Sequence, residues 1–79
     1  MTPEQSRAAR GWLRWSQNEL ARRANVSLST VRDFETAQRT PIANNIAAMR
    51  RAIEDGGIRL LFDRKGNALG VARADEAEE

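Results

Sequence analysis

The chain contains no cysteine and no histidine. Without thiols it has no disulfide framework, and without either residue the usual zinc donor sets and the commonest general base are excluded. No apolar run extends beyond a few residues, far short of the ~20 that cross a bilayer. Nothing in the sequence resembles a secretion signal, so it predicts a cytosolic protein with no membrane partner. A phosphate-cradling glycine loop and carboxylates paired at cleft spacing are also missing. Those absences argue against an enzyme, and no metal or cofactor is expected.

What is present fits one small folded domain. There are 79 residues, 41% of them hydrophobic and 30% charged, a balance that belongs to soluble globular chains and not to disordered ones. A core of this size is marginal, and a second subunit is a natural supplement. The formal charge of +2 hides an asymmetry. Four of the eleven acidic groups sit in the last five residues, at Asp75, Glu76, Glu78 and Glu79, so the preceding 74 residues carry seven acidic against 13 basic groups. All the basic groups but Lys65 are arginine, the better residue for bidentate contacts to phosphate or guanine.

Cap and periodicity signals divide the chain into elements. Thr2-Pro3-Glu4-Gln5 is a capping box with proline at the first helical position, and it predicts a helix to about Leu13 with Ala9 and Leu13 inward. Gly11 costs this helix about 1 kcal/mol relative to alanine and calls for a reason, such as close packing. Ser16-Gln17-Asn18-Glu19 reads as a second capping box. The helix it starts ends near Ala24, with Leu20, Ala21 and Ala24 inward and Asn25 as a left-handed turn residue. Ser27 is the next cap, for a helix from Leu28 to about Glu35 with Val31 and Phe34 inward. Residues 36–40 form a polar loop. Thr40-Pro41 then predicts another helix start, with Ile42, Ile46, Met49 and Ile53 as its apolar stripe and Asp55-Gly56-Gly57 as its end. Beyond that the period changes to that of strands: Ile58–Phe62, a turn at 63–67 and Ala68–Ala72 read as a hairpin.

Two short helices joined by a tight turn, with small residues where they cross, define a helix-turn-helix. Here it spans Gln17 to Phe34, with Leu20, Ala21, Val26 and Val31 inward. The outward residues at the start of the later helix are Ser27, Leu28, Ser29 and Arg32. The run Trp15-Ser16-Gln17-Asn18-Glu19-Leu20-Ala21, followed by Val26-Ser27-Leu28-Ser29-Thr30-Val31-Arg32-Asp33-Phe34-Glu35, resembles the Cro/cI-type, or XRE, transcription regulators over about residues 3–54. The resemblance implies a mostly α fold, a four-to-five-helix domain over residues 1–55. A C-terminal strand or hairpin over 56–73 follows as a dimerisation element through Ile58, Leu60 and Phe62, and an acidic disordered tail occupies 74–79. It further implies base readout by Ser27, Leu28, Ser29 and Arg32, and backbone contacts from Gln17, Thr36, Gln38, Arg39 and Asn44. An Arg10–Glu35 ion pair would tie the first helix to the third. Glycine is common in such proteins at the positions of Asn25, Arg14 and Ala37.

The function expected is sequence-specific transcription regulation on double-stranded DNA, at the nucleoid when bound, by a homodimer on a palindromic operator. The alternatives keep the fold and change the use. One is an antitoxin or anti-activator that captures a protein partner, and the other is a recombination accessory factor that bends DNA. Some residues have plainer readings. Trp12 and Trp15 are better explained by core or interface packing than by stacking on bases. Arg22 and Arg23, like Arg50 and Arg51, suit the solvated sides of their helices, and Glu19 suits a cap.

Overall fold

A computed structural model describes residues 1–74. Its elements are α1 (Pro3–Leu13), α2 (Gln17–Ala24), α3 (Leu28–Glu35), α4 (Ala43–Asp55), β1 (Ile58–Phe62) and β2 (Ala68–Arg73). The mostly α fold with a terminal hairpin stands as the sequence predicts, with four helices. The acidic tail, apart from Ala74, lies outside the described residues. Among those residues no helix is long and apolar enough to cross a membrane.

The caps explain where the helices begin. Thr2 Oγ1 accepts from the Gln5 amide at 3.2 Å, and Gln5 Oε1 accepts from the Thr2 amide at 3.0 Å, which satisfies two otherwise orphaned donors. Ser16 accepts from the Glu19 amide at 2.9 Å, but Glu19 does not return the bond. Its Oε2 is drawn instead to Arg22 at 2.5 Å and Arg23 at 2.6 Å, where two cations outcompete one neutral amide. The start of α4 also differs from expectation. Thr40 is not its cap. Ile42 holds that position in extended geometry with no side-chain cap bond, and the helix begins at Ala43. Ile42 thereby leaves the apolar stripe and is 68% exposed, while Met49 and Ile53 are fully buried.

The first three helices end on left-handed residues. Arg14, Asn25 and Ala37 all have φ near +60°. Each lets the chain turn back at once. The Trp15 amide reaches the Arg10 carbonyl, the Val26 amide that of Ala21, and the Gln38 amide that of Asp33, all within 3.0 Å. Glycine preference at these positions is therefore a backbone requirement, which Arg14 and Ala37 meet under strain.

One core serves helices and hairpin alike. Leu20, Ala21, Val31, Phe34, Met49 and Ile53 cluster with Ile58 and Leu60. Two of the residues expected at a dimer contact belong to this core. Ile58 is 1% and Leu60 6% exposed, so their side chains are used within one subunit. Phe62 alone of the three expected dimer residues reaches solvent, and the Arg50 guanidinium lies 5.4 Å from its ring centroid. In the hairpin Leu60 faces Val71 and Leu61 faces Gly70, with an irregularity between Leu61 and Phe62. Buried Gln5 fastens the hairpin to α1 there, its Nε2 donating to the carbonyls of Leu61 and Gly70, both at 3.1 Å.

The second fastening is ionic. Buried Glu35, at the end of α3, accepts from Ser6 Oγ at 2.5 Å, Arg10 Nε at 2.9 Å, Arg10 Nη2 at 2.7 Å and Gln17 Nε2 at 3.1 Å. Arg7 donates to its carbonyl oxygen. Burial pushes this carboxyl up. The hydrogen bonds from Arg10, Ser6 and Gln17, with the Arg10 charge, outweigh burial and hold it below the usual range.

Two predictions follow from these fastenings. A depressed native pKa gives stability that is complete above the unfolded value of about 4.3 and is lost as pH falls through the lower folded value. Glu35→Gln should cost about 3 kcal/mol at neutral pH and flatten that part of the acid limb in urea titrations. An unchanged acid limb would show that another group sets it. Ala37→Gly should raise the melting temperature by about 5 °C, the equivalent of about 1 kcal/mol in a domain of this size. A fall in melting temperature would refute the strain assigned to Ala37.

Candidate nucleic-acid interface

The outward end of α3 is built by its cap. Ser27 Oγ accepts from the Thr30 amide at 3.1 Å and also meets Thr30 Oγ1 at 2.7 Å and Ser29 Oγ at 3.1 Å. The Ser27 hydroxyl is thus committed to holding the first turn. Ser29 is the nearer polar group left to the surroundings. Leu28 is 39% exposed and presents an apolar group beside it. Arg32, one turn on, is exposed and makes no ion pair among the described residues. All four residues expected to read bases therefore lie on the solvent side of α3, while Val31 and Phe34 on its other side enter the core.

The residues expected on the DNA backbone fall into three situations. Gln38 and Arg39 are exposed on the turn after α3, where the Asp33 carbonyl accepts from both of their amides. Thr36 is exposed too, but its hydroxyl proton goes to the Arg32 carbonyl at 2.9 Å. Gln17 is half-buried, and one of its amide hydrogens is given to Glu35. Its second amide hydrogen remains. Asn44 is exposed in the first turn of α4. Because that helix has no side-chain cap, the amides of Ala43 and Asn44 find no acceptor among the described residues. Such a helix end favours an anion.

Between α3 and the start of α4 runs a groove of about 330 Å³ lined by Ser29, Thr30, Asp33, Arg39, Thr40, Pro41, Ile42 and Asn45. It joins Ser29 of the expected base readers to Arg39 of the expected backbone contacts. It also adds Asp33, Ile42 and Asn45, which the sequence reading did not select. Asp33 stands four residues after Ser29, the helical interval that places two side chains on one face, and that spacing was available as a signal. Ile42 gave no such signal, because it fits the apolar stripe of α4 until the late helix start turns it outward.

Some arginines elsewhere have local partners. Glu19, held below the usual carboxylate range by hydrogen bonds from Arg22 and Arg23, neutralises part of α2. Arg23 also lies 4.4 Å above the centroid of Trp15. Trp15 packs against the core and leaves no room for a side chain at Gly56, where a Cβ would sit 2.8 Å from the ring. Trp12, in contrast, is 60% exposed and not part of the core.

No curated protein matches the chain. The helix-turn-helix family model matches residues 7–54, from the second turn of α1 almost to the end of α4. That segment is more than half of the chain and contains both crossed helices, the turn at Asn25 and the exposed face of α3. The chain belongs to the helix-turn-helix family of Cro/cI, or XRE, type, whose members are DNA-binding transcription regulators.

Proposed function

We propose that this regulator reads a specific, roughly palindromic operator as a homodimer, with the first turns of α3 of each subunit in the major groove. The observation that carries the reading is the exposed face formed by Leu28, Ser29 and Arg32 beside the groove that contains Arg39. One module of this size meets only a few base pairs, so two symmetry-related modules supply the remaining specificity.

The chemistry of each group assigns its part. Arg32 offers a fork of donors suited to guanine O6 and N7, Ser29 donates or accepts at a base edge, and Leu28 suits a thymine methyl group. Ser27 acts chiefly by fixing the turn that presents them. Arg39, the free amide hydrogen of Gln17 and the uncapped start of α4 around Asn44 suit phosphates, which position the module without reading sequence. Gln38 and Thr36 lie on the same crossing of the backbone. Asp33 works differently. A carboxylate on this face is repelled by phosphates and finds a partner where a cytosine amino group meets it, so it penalises wrong sequences more than it strengthens the right one.

Binding selected from random duplexes and then measured by fluorescence anisotropy tests this division. Arg32→Ala and Ser29→Ala should relax preference at individual base pairs, at a cost of about 1–3 kcal/mol on the selected site for the arginine. Arg39→Ala should weaken all sequences about equally and reduce the slope of log K against log salt by about 1. Asp33→Asn should tighten non-specific binding and broaden the selected set. Identical behaviour of the Arg32 and Arg39 variants across sequences would overturn the assignment of roles.

A further inference from the structure

Two features of Ile42 work against the stability of the free protein. It holds the cap position of α4 with no side-chain hydrogen bond, where serine, threonine, asparagine or aspartate would satisfy one of the first amides of the helix. Its side chain is also 68% exposed, more than any other large hydrophobic residue among those described. Nothing in the fold asks for isoleucine there. The Ile42 carbonyl accepts from the amides of Asn45 and Ile46, but that duty belongs to the backbone. The backbone itself is in the ordinary extended geometry of a cap residue.

The place of the side chain gives it a use. Ile42 lines the groove between α3 and α4 together with Ser29, Asp33, Arg39 and Asn45. One wall of that groove is the recognition helix and the other is the start of α4. Most of its lining is polar or charged. Ile42 and the adjoining Pro41 make a single apolar corner in it.

We infer that Ile42 is a specificity-determining residue that packs on the 5-methyl group of a thymine beside the recognition helix. The inference deepens the operator reading proposed above and rests on it. The thymine methyl is the apolar group that base pairs present in the major groove. An apolar corner among polar side chains matches that group and no other feature of a base edge. Cytosine carries only a hydrogen at the same carbon, so it leaves the isoleucine uncovered. Asp33 serves a different base. Thymine O4 is an acceptor and is repelled by a carboxylate, so the thymine under Ile42 is not the base that meets Asp33. Leu28 serves another again. It opens α3 and is not among the residues lining this groove. Surface that is costly to expose in the free protein thus becomes buried surface in the complex.

The selected operator is the probe. Each thymine of one half-site is replaced in turn by deoxyuridine, which removes the 5-methyl group and keeps every hydrogen-bonding group. Binding of the full chain is read by fluorescence anisotropy. The wild type should lose about fourfold in affinity at one thymine, the worth of one buried methyl group, besides any position read by Leu28. Ile42→Ala, which changes both subunits, should lose at least that factor in each half-site and lose nothing more with uracil at that position. Leu28→Ala should keep the loss there. Ile42→Ser should supply the missing cap and raise the melting temperature by about 5 °C, yet bind the unmodified site more weakly than the wild type. A purely structural role would move stability and affinity together. The proposal fails if Ile42→Ala stays sensitive to every uracil substitution that affects the wild type, or if it weakens all duplexes alike. Either result, with selective binding by the wild type, leaves the operator reading in place. A wild type that selects no site at all fells that reading and this assignment with it.

Discussion

The buried carboxylate of Glu35 is the point on which the recognition geometry depends. It closes α3, yet its partners come from elsewhere: Ser6 and Arg10 from α1 and Gln17 from the first turn of α2. A charge held away from water is tolerable only when its lone pairs are met, and here four donated bonds meet them. The requirement acts as a constraint on position. If α3 rotated by one residue, the carboxylate would turn away from Arg10 and leave two opposite charges without partners. An apolar contact at the same place would tolerate sliding, whereas this one does not. The orientation of α3 about its own axis, and hence which side chains it offers to DNA, is therefore fixed from its far end.

The same arrangement resolves an electrostatic difficulty. A protein that approaches phosphates suffers from carboxylates on the approaching side. Glu35 is two residues from Asp33 and adjacent to the turn that holds Arg39, so an unpaired charge there would oppose binding. Pairing it with Arg10 spends one of the twelve arginines to cancel it. Glu19 is likewise cancelled by Arg22 and Arg23, and Glu54 by Arg50. Arg32 and Arg39 are left outside these pairs, next to the groove. Internal pairing thus removes several arginines from the charge the surface offers, and Arg32 and Arg39 are not among them.

Much of this was legible in the sequence because it rests on local chemistry. Thr2, Ser16 and Ser27 announce helix starts through their hydroxyls, and Leu20, Ala21, Val31, Met49 and Ile53 announce a common interior by spacing. The turn residue Asn25 is where its left-handed tolerance suggests. What was not legible depends on competition between distant or alternative partners. Glu19 has the capping-box spacing, but Arg22 and Arg23 claim it. Ile42 has the spacing of a core residue, but the extended backbone at its position removes it from the helix. Gln5 completes a cap as expected, and its other end then spans the whole chain to the carbonyls of Leu61 and Gly70, a contact no local pattern encodes. Ile58 and Leu60 alternate as strand residues should, yet alternation does not say which subunit's core receives them.

That last point bears on how so short a chain holds together. Had Ile58 and Leu60 faced a partner, the four helices would have lacked two of their larger core residues, and folding would have been tied to association. With both turned inward and Gln5 bracing the hairpin, the subunit closes its own core. The large apolar groups left exposed among the described residues are few: Trp12, Leu28, Ile42, Phe62 and Leu69. Ile42 lines the groove between α3 and α4, Leu28 opens α3, and Phe62 lies under Arg50. Trp12 and Leu69 remain, on elements joined by Gln5 and on the side of α1 turned from α3. The division of the exposed apolar residues thus follows from the burial of the hairpin. Leu28 and Ile42 stand at the starts of α3 and α4, and Trp12 and Leu69 on α1 and β2.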